Sequence, residues 1–152
     1  MGTLSPIIFA QQAEEFLAAA RREASLQAAR ISMPAYFLAS RAIELGLKAY
    51  LLTRGRDEKA LRSVSHDLGK ALDEALGAGL GDVTSISPEE EHCVRWINEY
   101  YWRKDLEYPK TGFKSYPQLS YLTDFADRLL HDLQPKLREW GLALARSDPP
   151  GR

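Results

Sequence analysis

From Ser5 to Arg30 the apolar residues Phe9, Ala13, Phe16, Ala20 and Ala24 recur at three- and four-residue intervals. That spacing puts side chains on one face of an α-helix. Ser5 is placed to cap this helix, and Pro6 suits its first position, where a missing N–H costs nothing. A second helix is predicted from near Pro34 through "AYFLASRAIELGLKAYLLTRG", closed by Gly55. Two apolar lines run along it, one of Ala35, Leu38, Ala42, Leu45, Ala49 and Leu52, the other of Tyr36, Ile43, Leu47 and Tyr50. A helix apolar on two faces packs against several neighbours at once. A third helix is predicted to begin around Ser65, with Ser65 as its cap. The fourth opens at "SPEEEHCVRWINEYYW", where Ser87 and Glu90 make a capping box around Pro88. The last starts near "YPQLSYLTDFADRLLHDLQPKLREW", and Leu119, Leu122, Ala126, Leu129, Leu133 and Leu137 form its stripe. Pro135 falls inside that stripe and predicts a kink, or a break one turn earlier.

Sustained period-two alternation and Asn-Gly or Asp-Gly hairpin turns are missing, so strands are not expected. "GAGLGDVTSIS" has the glycines of a flexible connection, and "RKDLEYPKTGFKSYP" contains two Tyr-Pro pairs whose first residues are pushed out of helical geometry. The expectation is an all-α, up-and-down bundle of about five helices, with residues 1–146 as one domain and 147–152 as a disordered tail.

Composition narrows the function classes only by exclusion. The 152 residues carry 20 basic and 21 acidic side chains, a balance that advertises neither nucleic-acid nor membrane binding for the whole molecule. A local basic patch is still compatible with it. The single cysteine, Cys93, permits no internal disulfide and fits a reducing compartment. No apolar stretch reaches the roughly 20 residues of a membrane span, and no secretory leader pattern opens the chain, so a soluble cytoplasmic protein is expected.

On the second helix the polar positions contract to Arg41, Glu44 and Lys48, at spacings of three and four. The plainer reading is an exposed ladder in which Glu44 bridges both cations, adding a few tenths of a kcal/mol per pair. The sharper one is a charged groove that faces a ligand or partner. "YFLASRAIELGLKAYLLTRG" followed by "SHDLGKALDEA" resembles the HEPN domain family (higher eukaryotes and prokaryotes nucleotide-binding). Glu44, Leu47, Lys48 and Ala49 match the family's Glu–Leu–Lys-Ala core, and His66, Asp67 and Leu68 match the His-Asp-Leu element that opens its next helix. "YYWRKDLEYPKTGFKSYP" is similar to its tyrosine-rich third element, although Lys114 and Ser115 precede Tyr116-Pro117 where an arginine is usual. The resemblance spans roughly residues 10 to 140.

What the resemblance implies is a nucleotide- or RNA-related module. Many HEPN proteins are metal-independent, toxin-type ribonucleases whose signature is an arginine, four to six intervening residues and a histidine, supplied by both subunits of a dimer. Here Arg62 and His66 have three residues between them, Arg128 and His131 have two, and His92 precedes Arg95. Ser65 and Asp67 on either side of His66 read as the start of a helix, leaving Arg62 and His66 as the lesser, displaced catalytic alternative. Other members work beside a separate nucleotidyltransferase, whose Gly-Ser and paired-Asp motifs are missing from this chain. Glu89 and His92 have metal-ligand spacing but no second copy, so neither a metal nor a cofactor is expected. The segment "RWINEYYWRKDLEYPKTGFKSYP" mixes aromatics with Arg95, Arg103, Lys104, Lys110 and Lys114. Such mixing suits base stacking and phosphate neutralisation, or self-association, or simply a core face with a solvated charged side. The resulting expectation is a HEPN-like homodimer that binds a partner protein or a nucleotide or RNA without the usual ribonuclease motif. Arg41, Glu44, Lys48, Arg103, Lys104 and Lys114 are its candidate ligand residues. A ribonuclease and a plain helical adaptor are the alternatives.

Overall fold

A computed structural model describes residues 3–26, 31–106 and 115–147. In chain order the elements are α1 (Pro6–Leu26), α2 (Met33–Thr53), α3 (Glu58–Val64), α4 (Leu68–Gly77), a single 3-10 turn (Leu80–Asp82), α5 (Pro88–Tyr101) and α6 (Leu119–Ser147). The fold is all-α, and no strand occurs among the described residues.

Side-chain caps set most of the boundaries. The Ser5 hydroxyl lies 3.4 Å from the Ile8 amide and the Ser32 hydroxyl accepts from the Ala35 amide at 3.2 Å, which starts α1 and α2. Gly55, at φ +83°, follows α2 in the left-handed conformation that closes a helix. Asp57 caps α3 through the Ala60 amide at 2.9 Å, and Asp67 caps α4 through the Lys70 amide at 3.0 Å. Ser65 is therefore not the cap that its sequence neighbourhood suggests. It ends α3 with φ 54° and ψ −133°, and the cap of the next helix falls on Asp67. The short α3 accounts for six helices where about five were expected. Its seven residues are too few to show a repeat that separates it from its neighbours.

α2 is the centre of the molecule. Every residue from Ala42 to Leu52 is buried, and the helix packs against α1, α4, α5 and α6. α6 approaches so closely at Gly46 that a Cβ there would lie 2.9 Å from Leu129 Cδ2. On α1 the buried line is Pro6, Ala10, Ala13, Leu17 and Ala20; Ala13 and Ala20 belong to the face expected to be core, whereas Phe9, Phe16 and Ala24 of that face are not fully buried. Phe9 and Phe16 are only half-buried, small alanines having taken the close contact. α6 follows its expected stripe and runs unbroken through Pro135. Pro135 itself is exposed, while Leu133 and Leu137 are buried on either side. Packing of both flanks thus holds the helix together against the cost of about 3 kcal/mol for an interior proline.

The glycine-rich connection before α5 is tied down rather than slack. Leu80 is buried, Ala78 C=O accepts from Tyr50 OH at 2.8 Å, and Thr84 Oγ1 donates to Asp132 at 2.7 Å. The α5 capping box forms as read from the sequence. Its Glu90 carboxylate also receives Arg128 of α6 through two bonds, at 2.8 and 2.6 Å. α6 extends to Ser147, the first residue of the expected tail, and residues 148–152 lie outside the described residues.

Candidate functional site

Position i, i+3 and i+4 on one helix bring Arg41, Glu44 and Lys48 onto a common stripe. The stripe is not the exposed ladder that such spacing most simply suggests. Glu44 is 1% exposed and Lys48 8%, on a helix packed against α1, α4, α5 and α6. Glu44 Oε2 accepts from Arg41 Nη1 at 2.8 Å and from Lys48 Nζ at 2.9 Å. Its Oε1 accepts from Tyr101 OH at 2.7 Å and from His66 Nδ1 at 2.9 Å. A carboxylate only accepts, so this network assigns the ring proton to Nδ1. His66 Nε2 then has no protein partner among the described residues.

Four donors on one buried carboxylate explain how it tolerates burial. Burial pushes the Glu44 carboxyl upward, but Lys48's charge and the bonds from Tyr101, Lys48 and His66 outweigh it and hold it below its ordinary value. Tyr101 moves the other way. Burial first, and then the Glu44 charge and bond, push its phenol far up, so it stays a donor. With two fixed cations and one carboxylate, the cluster keeps a surplus positive charge.

The His66-Asp67-Leu68 element holds the ring in place through three different attachments. His66 reaches α2. Asp67 Oδ1 caps α4 and also accepts from Asn98 Nδ2 of α5 at 2.9 Å. The Leu68 amide donates to Asn98 Oδ1 at 2.8 Å, and its side chain is fully buried. Arg41 is steadied separately: its guanidinium carbon lies 6.0 Å from the centroid of Phe16, within cation–π range.

Above the cluster opens a cavity of about 260 Å³, lined by Phe37, Arg41, His66, Tyr101 and Lys104. Arg41 retains 29% of its side-chain exposure there and His66 53%. Of the candidate ligand residues, Arg41 and Lys104 line this cavity, while the buried Glu44 joins Arg41 to Lys48, which is outside the lining. Arg103 is exposed outside the cavity lining, and Lys114 lies outside the described residues, as does Lys110. Arg62 is bound to Glu58 at 2.8 Å on the open surface of α3 and does not bond His66. The cation beside the His66 ring is instead Arg41, with Nη1 3.5 Å from Nδ1. Phe37 is the lining residue missed from sequence, whereas Tyr101 belongs to the aromatic and basic segment. Much of the aromatic segment is structural: Tyr116 packs on Tyr36 and Tyr100, and Tyr100 OH donates to Ser115 C=O at 2.9 Å. Glu89 and His92 are both exposed, and no group of three or more potential metal ligands forms among the described residues.

A family model described as the HEPN domain matches residues 8–135, a span that contains every member of the cluster. The chain belongs to the HEPN domain family. No curated protein and no solved structure matches it. In this HEPN domain the remaining arginine–histidine neighbours are engaged elsewhere. Arg128 holds Glu90, and Arg95 holds Asp73 and Glu91. None of its described helices is long and apolar enough to cross a membrane.

Proposed function

We propose that this HEPN domain is a binding module for a phosphate-bearing ligand, a nucleotide or RNA, taken at the Arg41–His66–Lys104 cavity. The observation that carries the reading is the Glu44 hub. It fixes Arg41 and His66 at the cavity while its own charge is spent internally, so the cations face a ligand rather than another carboxylate. Arginine and lysine suit phosphate oxygens, and the half-buried ring of Phe37, backed by Tyr101, suits a base. The two rings stand 6.0 Å apart at 47°.

One observation favours cleavage as a second reading. A histidine whose Nδ1 is held by a carboxylate presents Nε2 as a base, and Arg41 would stabilise a phosphate beside it. The cation of such a site would be Arg41, not Arg62. Calorimetric titration with AMP and with a short single-stranded RNA, in chelator and at two salt concentrations, tests both readings. Binding that weakens with salt and in Arg41→Ala, with intact RNA recovered, supports the module. RNA cut by the wild type and spared by His66→Ala establishes the second reading. No binding of either probe overturns the first.

A further inference from the structure

His66 does not simply border one cavity; it divides two. Beyond its ring from the Arg41 side lies a second hollow of about 330 Å³, lined by Leu4, Phe9, Lys48, Leu61 and Arg62, together with Glu58, Ser65 and His66 itself. The two sides are built alike. Arg41 supplies a cation to the inner hollow and Lys48 to the outer, and both are anchored on the same Glu44 oxygen, at 2.8 and 2.9 Å. Apolar walls complete each: Phe37 and Tyr101 within, Phe9 and Leu61 without. The acid of the outer hollow, Glu58, is engaged by Arg62 at 2.8 Å.

The backbone marks the same place. Among the described residues only Ser65 and Lys104 have positive φ without being glycine, at 54° and 61°. Such conformations are uncommon and concentrate at functional sites. Ser65 lines the outer hollow and Lys104 the inner.

We propose that the two hollows form one site for two successive nucleotides of a single strand, one base in each, with the joining phosphodiester over His66. The inference rests on the nucleotide-or-RNA reading above and narrows it to a ligand at least two nucleotides long. Size agrees. Either hollow alone sits at or below the small end of the roughly 300–1,000 Å³ range of ligand pockets, and the pair falls within it. Chemistry agrees as well: a dinucleotide is one phosphodiester charge between two π-faced bases, and the site sets the cations Arg41 and Lys48 on either side of His66 with an apolar wall in each hollow.

The experiment compares AMP with the dinucleotide ApA in a 2′-O-methyl form that resists cleavage, by calorimetric titration. ApA should bind about tenfold or more tightly than AMP, the scale of one added base stack. Phe9→Ala should bring that ratio toward one, whereas Phe37→Ala should weaken both ligands. Because Phe9 is half-buried, the exposed Arg62→Glu serves as the second variant; its added negative charge should also lower the ratio. Equal binding of AMP and ApA, or a ratio that neither Phe9→Ala nor Arg62→Glu changes, overturns the two-nucleotide site and leaves the phosphate-binding reading standing. Failure of both ligands to bind removes that reading and the inference with it.

Discussion

Glu44 and Glu90 are both buried glutamates on helices, both paired to arginine, and they do different things. Glu90 stands in the first turn of α5, where it completes the capping box and takes both bonds from Arg128, whose guanidinium also reaches Ser85 C=O. Every group in that cluster ties one piece of backbone or helix to another. Glu44 stands mid-helix in α2 and collects donors from three separate places in the chain: its own helix, the segment before α4 and the end of α5. Two of those donors, Arg41 and His66, keep a face on an open cavity. The lesson is one of position. An ion pair at a helix terminus can be consumed by capping, whereas a mid-helix carboxylate has no backbone donors to satisfy it and must recruit side chains.

The comparison breaks most visibly on truncation. Glu44→Ala should cost about 3–5 kcal/mol, since it leaves Lys48 buried without its partner. Glu90→Ala should cost less, about 1–3 kcal/mol, as it loses a cap and a charged bond but lets the half-exposed Arg128 return to water. Urea denaturation of both variants orders them; a larger loss at Glu90 would contradict the account of the hub.

Acid should weaken both clusters. Glu44 is held below its ordinary value of 4.5 despite burial, and Glu90 is held below it chiefly by the Arg128 bonds. A lowered folded value means that each contribution is fully present above the unfolded range near pH 4.5 and is lost as pH falls through the folded value. Stability measured between pH 6 and pH 3 should therefore decline, and Glu90→Gln should flatten that decline. An unchanged slope in Glu90→Gln would mean the pair with Arg128 adds nothing.

The smallest expected effect belongs to Arg62, half of the displaced catalytic alternative. Arg62→Ala removes an exposed bond to Glu58 and should shift stability by only about 0–1 kcal/mol. A loss as large as that of Glu90→Ala would show that α3 depends on it.

These contrasts also show which parts of the molecule were legible in its sequence. Ser5, Pro34, Gly55 and the Ser87–Glu90 box mark helix ends through short-range chemistry, and the α6 leucines repeat long enough to define a face. The seven-residue α3 has no such length. The expected face of α1 holds at Ala13 and Ala20 but turns toward Ala10 and Leu17 and away from Phe9 and Phe16, a choice made only by close packing against α2. Arg41, Glu44 and Lys48 were recognisable as a stripe, but a surface ladder and a buried hub share one spacing. What distinguishes them is the arrival of His66 from 22 residues away and Tyr101 from 57, which no local pattern encodes. The HEPN resemblance, confirmed over residues 8–135, did carry His66-Asp67-Leu68 as a unit, and the structure supplies its physical reason in three separate attachments.

The central claim is that Glu44 holds His66 and Arg41 at a ligand cavity. It is tested most directly by following the imidazole nitrogens of histidine-labelled protein by NMR while AMP is added. The chain has three histidines, so His92 on α5 and His131 on α6 are internal controls. The account predicts a saturable shift at His66 alone, abolished in Arg41→Ala. A shift at His131 or His92 with His66 unmoved would contradict it.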